Sequence, residues 1–413
     1  MELQEKLYTH PLNKAVVIAG LGFFVDAFDL LLFNVLRIPS LKDLGLTGDQ
    51  LTRSGEFLLS MQMLGMIVGG IISGMMGDRR GRISVLYGSI LLYSLANLAN
   101  AWVTDVETYA VIRFLAGLGL AGELGAGITL VSESMTIERR GYGTILVAVL
   151  GALGAIAAGM AGDFLPWRTT YIIAGIAGLI LLFFRMTSLD PGMYRKVKAA
   201  PNVKRGSFTL LFATKERTLR YIGFILIGVP VWYCVGMLIN LSPELAQVYG
   251  IEGIRPVTCF MLFQVGIASG DLSSGLLSQR LKTRKKILIA FMLGAFVAVA
   301  SYFAGFYFML GFTWIVATAF LVGFGCGFMS IFVTTTAESF GTNLRVTVVA
   351  TVTNFMRGAI TLLIPLRMWL QHTFGFSLLH SLVLVGILVF VPALYASFSI
   401  KDTYGKPMDY VEE

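Results

Sequence analysis

Charge is what this chain lacks. Of its 413 residues, 14 % are Asp, Glu, Lys or Arg, against about 25 % in a soluble domain. That shortage excludes an ordinary water-facing surface. There are only three cysteines, Cys234, Cys259 and Cys326, all inside apolar runs, so no disulfide framework or zinc cluster is indicated. The three histidines, His10, His372 and His380, are scattered and offer no metal site. No Gly-x-x-x-x-Gly-Lys loop is present, which leaves direct ATP coupling without support. No Ser-His-Asp set and no clustered ligands argue for an enzyme, and no cofactor is expected.

Apolar residues take the place of charge. They make up 56 % of the chain, and the mean hydropathy is +0.77. A helix needs about 20 residues, at about 1.5 Å rise each, to cross a bilayer. Twelve runs qualify: 14–37, 54–77, 83–103, 107–134, 143–163, 168–188, 219–241, 256–279, 285–305, 311–337, 346–370 and 377–399. The first is too long for a cleavable signal peptide, lacks a small-residue cleavage site and keeps acids in its middle. An even number of spans puts both ends on one side. With Arg185 included, the segments on that side hold 24 of the 32 Lys and Arg residues. The other side holds six, Arg37, Lys42, Arg53, Arg168, Arg255 and Arg367, while Arg113 and Arg357 lie within spans. The richer side is expected to be cytoplasmic. This bias explains the net charge of +8 without invoking nucleic acid.

Residues 189–218 form the one long polar segment, with Arg195, Lys196, Lys198, Lys204 and Arg205 among Pro191, Pro201 and Gly206. It reads as a cytoplasmic linker between an N-terminal half, 1–188, and a C-terminal half, 219–413. Its cations suit acidic lipid headgroups, but ordinary topology signalling explains them better. The halves echo each other. Phe114-Leu-Ala-Gly117-Leu-Gly119 returns as Phe320-Leu-Val-Gly323-Phe-Gly325, offset by 206. Glu133…Arg140 returns as Glu338…Arg345, offset by 205, and Gly74 as Gly275, offset by 201.

The segment Gly74-Met-Met-Gly-Asp78-Arg79-Arg-Gly81-Arg82 lies between two spans. It resembles, at every fixed position, the loop between the second and third helices of the major facilitator superfamily. Its echo is weaker, with Gln279 in place of the acid and Lys282 in place of the second glycine. The resemblance implies an all-α membrane protein of twelve helices in two pseudo-symmetric six-helix halves. It also implies a monomer that binds a small molecule near the midplane between those halves. Glu133…Arg140-Gly141, Glu338…Arg345 and Leu189-Asp190-Pro191-Gly-Met-Tyr194 resemble the sugar-porter and organic-ion branch. In that branch such residues form a cytoplasmic charge relay. Carried over, Asp78, Arg79, Arg82, Glu133, Arg140, Glu338 and Arg345 would brace the outward-open state and separate during the switch. Static capping and headgroup contact are the alternative.

Charges inside spans carry the sharper signal, because each costs about 2.5–3.5 kcal/mol or more at the bilayer centre. Asp26, Asp29, Arg113, Glu123 and Arg357 lie well inside, and Asp271 sits two turns from an end. Asp26 and Asp29, three apart, share a helix face, and two neighbouring carboxylates favour keeping one proton. Asp-Ala-Phe-Asp resembles the Asp-Gly-Tyr-Asp of proton-linked aromatic-acid and phosphate symporters. Asp29 also matches the span-one aspartate of proton-coupled sugar porters, whose partner is a span-four arginine, here Arg113. The resemblance thus implies an Asp29–Arg113 coupling pair; a structural ion pair is the bland reading.

Gly117-Leu-Gly119-Leu-Ala-Gly122-Glu123 resembles a glycine-rich motif of the metabolite symporters. The glycines suit packing; Glu123 is either a second proton site or a substrate contact. Arg357, beside Asn354, is read as the anchor of a substrate anion, with a pair to an acid such as Glu123 as the alternative. Phe23, Phe24, Phe28, Trp232, Tyr233, Phe260 and Phe355 are candidate cavity aromatics. Span seven lacks the glutamine pair of sugar porters, which weakens a sugar substrate.

The expectation is proton-coupled symport of a small organic anion, a carboxylate first, by alternating access in a prokaryotic plasma membrane. The partners expected are that substrate, the proton and membrane lipid. A proton-driven exporter of drugs or metabolites and an uncoupled facilitator remain open. A non-transporting sensor usually adds a long soluble tail, and Ile400 to Glu413 is short.

Overall fold

Hydrocarbon offers a backbone no hydrogen-bond partner, so a chain that crosses it must pair its own N–H and C=O groups. A computed structural model describes residues 14–80, 82–134, 140–188 and 208–405, and the described residues form helices joined by turns, without a strand. Six unbroken helices come first: α1 (Lys14–Asp43), α2 (Gly48–Arg80), α3 (Arg82–Asn100), α4 (Val106–Ser134), α5 (Arg140–Phe164) and α6 (Trp167–Ser188). After a 3₁₀ turn at Phe208–Phe212 come α7 (Lys215–Tyr233), the short α8 (Ser242–Val248), α9 (Pro256–Arg280) and α10 (Lys285–Tyr307). The last spans are α11 (Phe312–Cys326) with α12 (Met329–Glu338), α13 (Arg345–Gly358) with α14 (Ile360–Phe374), and α15 (Leu378–Ser399). Nine of these spans are long and apolar enough to cross a membrane, and α3 to α5 complete the twelve. The bundle has a basic face, where α2 ends at Arg80 and α10 begins at Lys285, and a far face, where α1 ends at Asp43.

Three spans that read as single helices are interrupted, all in the second half. Span seven turns into a π segment at Cys234–Ile239. Pro230 lies one turn before it, and the Cys234 N–H is shared between the carbonyls of Pro230 and Val231. Span ten breaks at Gly327 and Phe328, where a Cβ on Gly327 would run into the backbone of Gly270 and Asp271. The Ser330 N–H at the start of α12 donates to Asp271 Oδ1 at 3.0 Å, so this buried acid caps the broken helix. Span eleven turns at Ala359, two residues after Arg357. Broken helices near the midplane are where transporters place binding groups.

The twofold repeat is built from crossings that only glycine permits. A Cβ on Gly65 would overlap the Phe114 carbonyl, one on Gly69 the Leu118 carbonyl, and one on Gly117 the Gln62 carbonyl. In the second half Gly266 meets Phe320 O, Gly270 meets Phe324 O and Gly323 meets Phe263 O. Span two maps onto span eight at an offset of 201 and span four onto span ten at 206, the offsets seen in the sequence echoes. Without a hydrophobic drive between helices in lipid, such close backbone approach is a main source of cohesion.

Across the halves, α2 lies along α13 and α14, and α5 lies against α9 and α12. Gly74 touches Thr347 and Gly77 touches Val346 near the basic face, while Gly358 sits on Ile67 further out.

Replacing Gly117 or Gly323 by Ala is expected to cost about 1–3 kcal/mol through backbone overlap. Gly88→Ala, where a Cβ meets nothing within 4 Å, should be neutral or slightly stabilising. Thermal unfolding in detergent tests this; equal melting temperatures for all three variants would contradict the crossing argument.

Candidate functional site

Among the described residues, six buried ionic side chains form one electrostatically linked cluster, three acids and three arginines. Asp26 is 0 % exposed, Asp29 1 %, Glu123 2 %, Arg113 0 %, Arg185 1 % and Arg357 2 %. Solvent reaches none of them from either face. Asp26 and Asp29 come from α1, Arg113 and Glu123 from α4, Arg185 from α6 and Arg357 from α13. Asp26 lies within electrostatic reach of Arg357, Glu123 and Arg185, and Asp29 within reach of Asp26 and Arg113.

The expected Asp29–Arg113 contact is not made. Both oxygens of Asp29 are without a hydrogen-bond partner. Arg113 Nη2 instead donates to Asn97 Oδ1 on α3 at 3.1 Å. Its guanidinium carbon lies 5.8 Å from the Phe33 ring centre, 5.9 Å from that of Tyr109 and 5.0 Å from that of Tyr171. Cation–π attraction strengthens when the cation is desolvated, so these three rings hold Arg113 beside Asp29 without neutralising either. The tyrosines are fixed by each other, hydroxyl to hydroxyl at 2.7 Å.

Glu123 is tied elsewhere. Its Oε1 lies 2.5 Å from Arg185 Nη2. Gly22 makes room for this pair, since a Cβ there would overlap both side chains. Arg185 is a site residue that the sequence reading placed among the inner loop cations. Its position three residues before the end of α6 disguised it, because a charge at a span end normally reaches headgroups.

Arg357 is held by aromatic contact. Its guanidinium carbon lies 5.2 Å from the Trp232 ring centre, and its Nε and Nη1 have no hydrogen-bond partner. It occupies the last turn of α13, where the helix dipole favours a cation. Asp26, its nearest acid by electrostatic influence, also has two unpartnered oxygens. An arginine from one half and an acid from the other thus face each other across the seam without a hydrogen bond.

Asn354 and Tyr233, expected beside the substrate, each tie two helices together. Asn354 Nδ2 donates to Ala121 O at 2.8 Å and Ala350 O at 2.7 Å, joining α13 to α4, and leaves only Oδ1 without a partner. The Tyr233 hydroxyl donates to Leu382 O at 2.7 Å and its ring meets Phe390, tying α7 to α15. Phe23 packs on Gly151, Phe260 lies near Gly159 across the seam, and Phe355 meets Phe208 and Tyr221 edge to face. An apolar hollow of about 460 Å³ at the far end of α15, lined by Phe376, His380 and Leu384 among others, contains none of the six charges.

At the basic face, Arg284 grips Glu338 bidentately, Nε to Oε2 at 2.7 Å and Nη2 to Oε1 at 2.9 Å. Thr403 adds a third bond to Oε2 at 2.7 Å. Arg345 donates to Ala337 O at 3.0 Å and Phe340 O at 3.4 Å. Burial pushes the Asp402 carboxyl up, but the Thr283 hydroxyl and the backbone N–H groups of Tyr404, Arg284 and Lys285 hold it below the usual carboxylate range. The side chains of Asp78, Arg79, Arg82, Glu133 and Arg140 lie outside the described residues.

The far face carries a pair of ties that the sequence reading missed. Arg367 Nη2 meets Glu56 at 2.7 and 2.9 Å, and Arg37 Nη2 meets Glu244 at 2.9 Å and Asn240 O at 3.2 Å. Each half supplies one arginine and one glutamate, so the two bridges lock the halves reciprocally. Glu56 and Arg367 fall inside the apolar runs 54–77 and 346–370, a signal set aside because both stand near span ends.

The family model described as the Major Facilitator Superfamily matches residues 19–365. NiaP of Bacillus subtilis is 26 % identical over 92 % of this chain and 94 % of its own. A 3-(3-hydroxy-phenyl)propionate transporter of Escherichia coli is 29 % identical over 59 % of this chain and 61 % of its own. The solved structure of the proton:xylose symporter XylE, bound to 6-bromo-6-deoxy-D-glucose, superposes with a TM-score of 0.74 at 16 % identity, covering 95 % of this chain and 97 % of that one.

Removing one member of a buried pair costs about 3–5 kcal/mol, because the other stays charged. Glu56→Gln is therefore expected to open the far face, where water can reach Arg367. Spin labels on Asp49→Cys and Gln247→Cys, exposed on opposite halves, should move apart by several ångströms. An unchanged distance distribution would contradict the lock.

Proposed function

Because the chain belongs to the Major Facilitator Superfamily, we propose that it is a secondary active transporter that carries a small organic anion, a carboxylate, together with a proton. It works by alternating access between halves 1–188 and 219–413, joined by a basic linker at 189–218. The observation that carries this reading is the state of the buried charges: Arg357 and Asp26 face each other with unpartnered donors and acceptors.

With all six groups ionised, three acids and three arginines sum to zero. A carboxylate entering alone would leave a sealed site with one uncompensated negative charge, which is strongly unfavourable. A carboxylate entering with a proton leaves the sum unchanged. Arg357 offers the planar fork that grips a carboxylate with two parallel bonds, and the face of Trp232 supports the fork. The proton goes to the α1 carboxylates. Once Asp29 is protonated it no longer attracts Arg113, and the helices that carry them are free to repack. Asp26, opposite Arg357, links proton and anion occupancy; Glu123, tied to Arg185, steadies the cluster from below.

The relative named for a hydroxyphenylpropionate supports an organic acid, and an aromatic one suits the Trp232 face. A buried arginine at the seam disfavours the export of cations. The basic bias of one face supports cytoplasmic termini in a prokaryotic inner membrane, and the protein is taken to be a monomer.

Reconstituted protein should accumulate aromatic carboxylates only under an inward proton gradient. Sugar equilibration indifferent to pH, or loss of organic cations, would overturn the substrate class. Asp29→Asn should lose uphill accumulation yet keep exchange between two substrate pools; full accumulation would remove Asp29 from coupling. Arg357→Ala should raise KM for the carboxylate by about 10–100-fold, the worth of a lost charge-assisted contact. Its neutral amide analogue should be little affected, and equal effects on both would remove the anchor role.

A further inference from the structure

We propose that Asn97 is the resting acceptor for Arg113: it holds the guanidinium while Asp29 carries its proton, and so sets the pH at which the coupling site loads. This rests on the coupling role given to Asp29 and Arg113 above.

Asn97 is 1 % exposed on α3, a helix whose apolar sequence gave no reason to place it in the site. Its Oδ1 accepts from Arg113 at 3.1 Å, its Nδ2 is unpartnered, and its side chain lies next to Asp29. An amide both accepts and donates, so Asn97 can serve the arginine with one end and the Asp29 carboxyl with the other. Arg113 keeps Nε and Nη1 unpartnered inside its ring cage of Phe33, Tyr109 and Tyr171. The rings hold the cation by their faces and do not fix which oxygen it bonds. It can therefore swing between Asn97 and Asp29 without leaving the cage.

The competition between the two acceptors is settled by charge. Hydrogen bonds to an ionised acceptor are roughly twice as strong as neutral ones, so an ionised Asp29 takes Arg113 from the amide. A protonated Asp29 does not, and Arg113 rests on Asn97. Arg113 bonded to Asn97 and not to Asp29, as seen here, is the geometry this proposal assigns to the proton-loaded state. An aspartate at this position would hold Arg113 in both states, and an alanine would give it nowhere to rest. The groups facing Asp29 are Asp26 on α1, Arg113 on α4, Tyr93 and Asn97 on α3, and Tyr171 on α6. The described side chains of α5 include no titratable group, and the described titratable side chains of α2, Asp49, Arg53 and Glu56, lie in its far-face turns.

The test is the initial rate of aromatic carboxylate uptake into proteoliposomes as a function of outside pH. Asn97→Ala removes the resting place and disfavours the loaded state, so the midpoint should move toward acid by about one pH unit, or about 1.4 kcal/mol. Exchange at saturating acidity, and KM for the carboxylate there, should stay within about twofold of wild type. Asn97→Asp, nearly isosteric, should move the midpoint the opposite way. Unchanged midpoints, or shifts of the same sign in both variants, would overturn the role of Asn97 while leaving coupling intact. If Asn97→Ala fails to fold, the sign of the Asn97→Asp shift still decides. A wild-type rate flat in pH, matched by Asp29→Asn, would instead overturn the coupling reading itself, and Asn97 with it.

Discussion

An ionised side chain sealed from water must be paired, caged or neutralised, and this constraint organises the molecule. Each buried charge of the bundle meets it differently. Glu123 and Arg185 pair directly at 2.5 Å. Arg113 is caged by three rings and an amide. Asp271 caps the start of α12. Asp26, Asp29 and Arg357 are left with open valences. The groups whose needs the fold does not meet are the ones that a proton and an anion can satisfy, which is why function is assigned to them and not to the tidier pairs.

The scaffold divides labour between its halves. The first six spans are continuous and hold the two aspartates, Glu123, Arg113 and Arg185 on rigid helices. The second six contain three interruptions, and Arg357 and Trp232 each sit beside one of them. Interrupted helices bend at lower cost than whole ones, so the anion end of the site is built on the more deformable half. The same glycine crossings occur in both halves, so the asymmetry comes from the breaks and not from helix packing. Reciprocal arginine–glutamate bridges close the far face, and the Arg284–Glu338 grip stiffens the basic face of the second half.

Much of this was legible in the sequence. Long apolar runs separated by short polar turns gave the twelve spans, because lipid imposes one solution on the backbone. The echo offsets of 201 and 206 reappear as equivalent glycine crossings, since close approach needs the same residue at the same place in each half. Acids and arginines deep in spans could be picked out because nothing else explains their cost. Partners were harder to read. Asn97 and Tyr93 carry no charge and merge into an apolar helix, so the acceptor that displaces Asp29 from Arg113 left no mark. Arg185, Glu56 and Arg367 stand near span ends, where one-dimensional position cannot separate a residue that snorkels to the headgroups from one that turns into the bundle. The break at Gly327 goes with its close approach to Gly270 and Asp271 on α9, which no local pattern encodes.

Charge balance is the central claim, and the current carried during transport tests it most directly. Proteoliposomes on a solid-supported membrane, given a jump in monocarboxylate concentration at fixed pH, report net charge movement per turnover. One proton travelling with one monoanion moves no charge, so the account predicts uptake driven by a pH gradient, indifferent to membrane potential and electrically silent at steady state. A sustained current, or uptake that follows the potential and ignores the pH gradient, would contradict it.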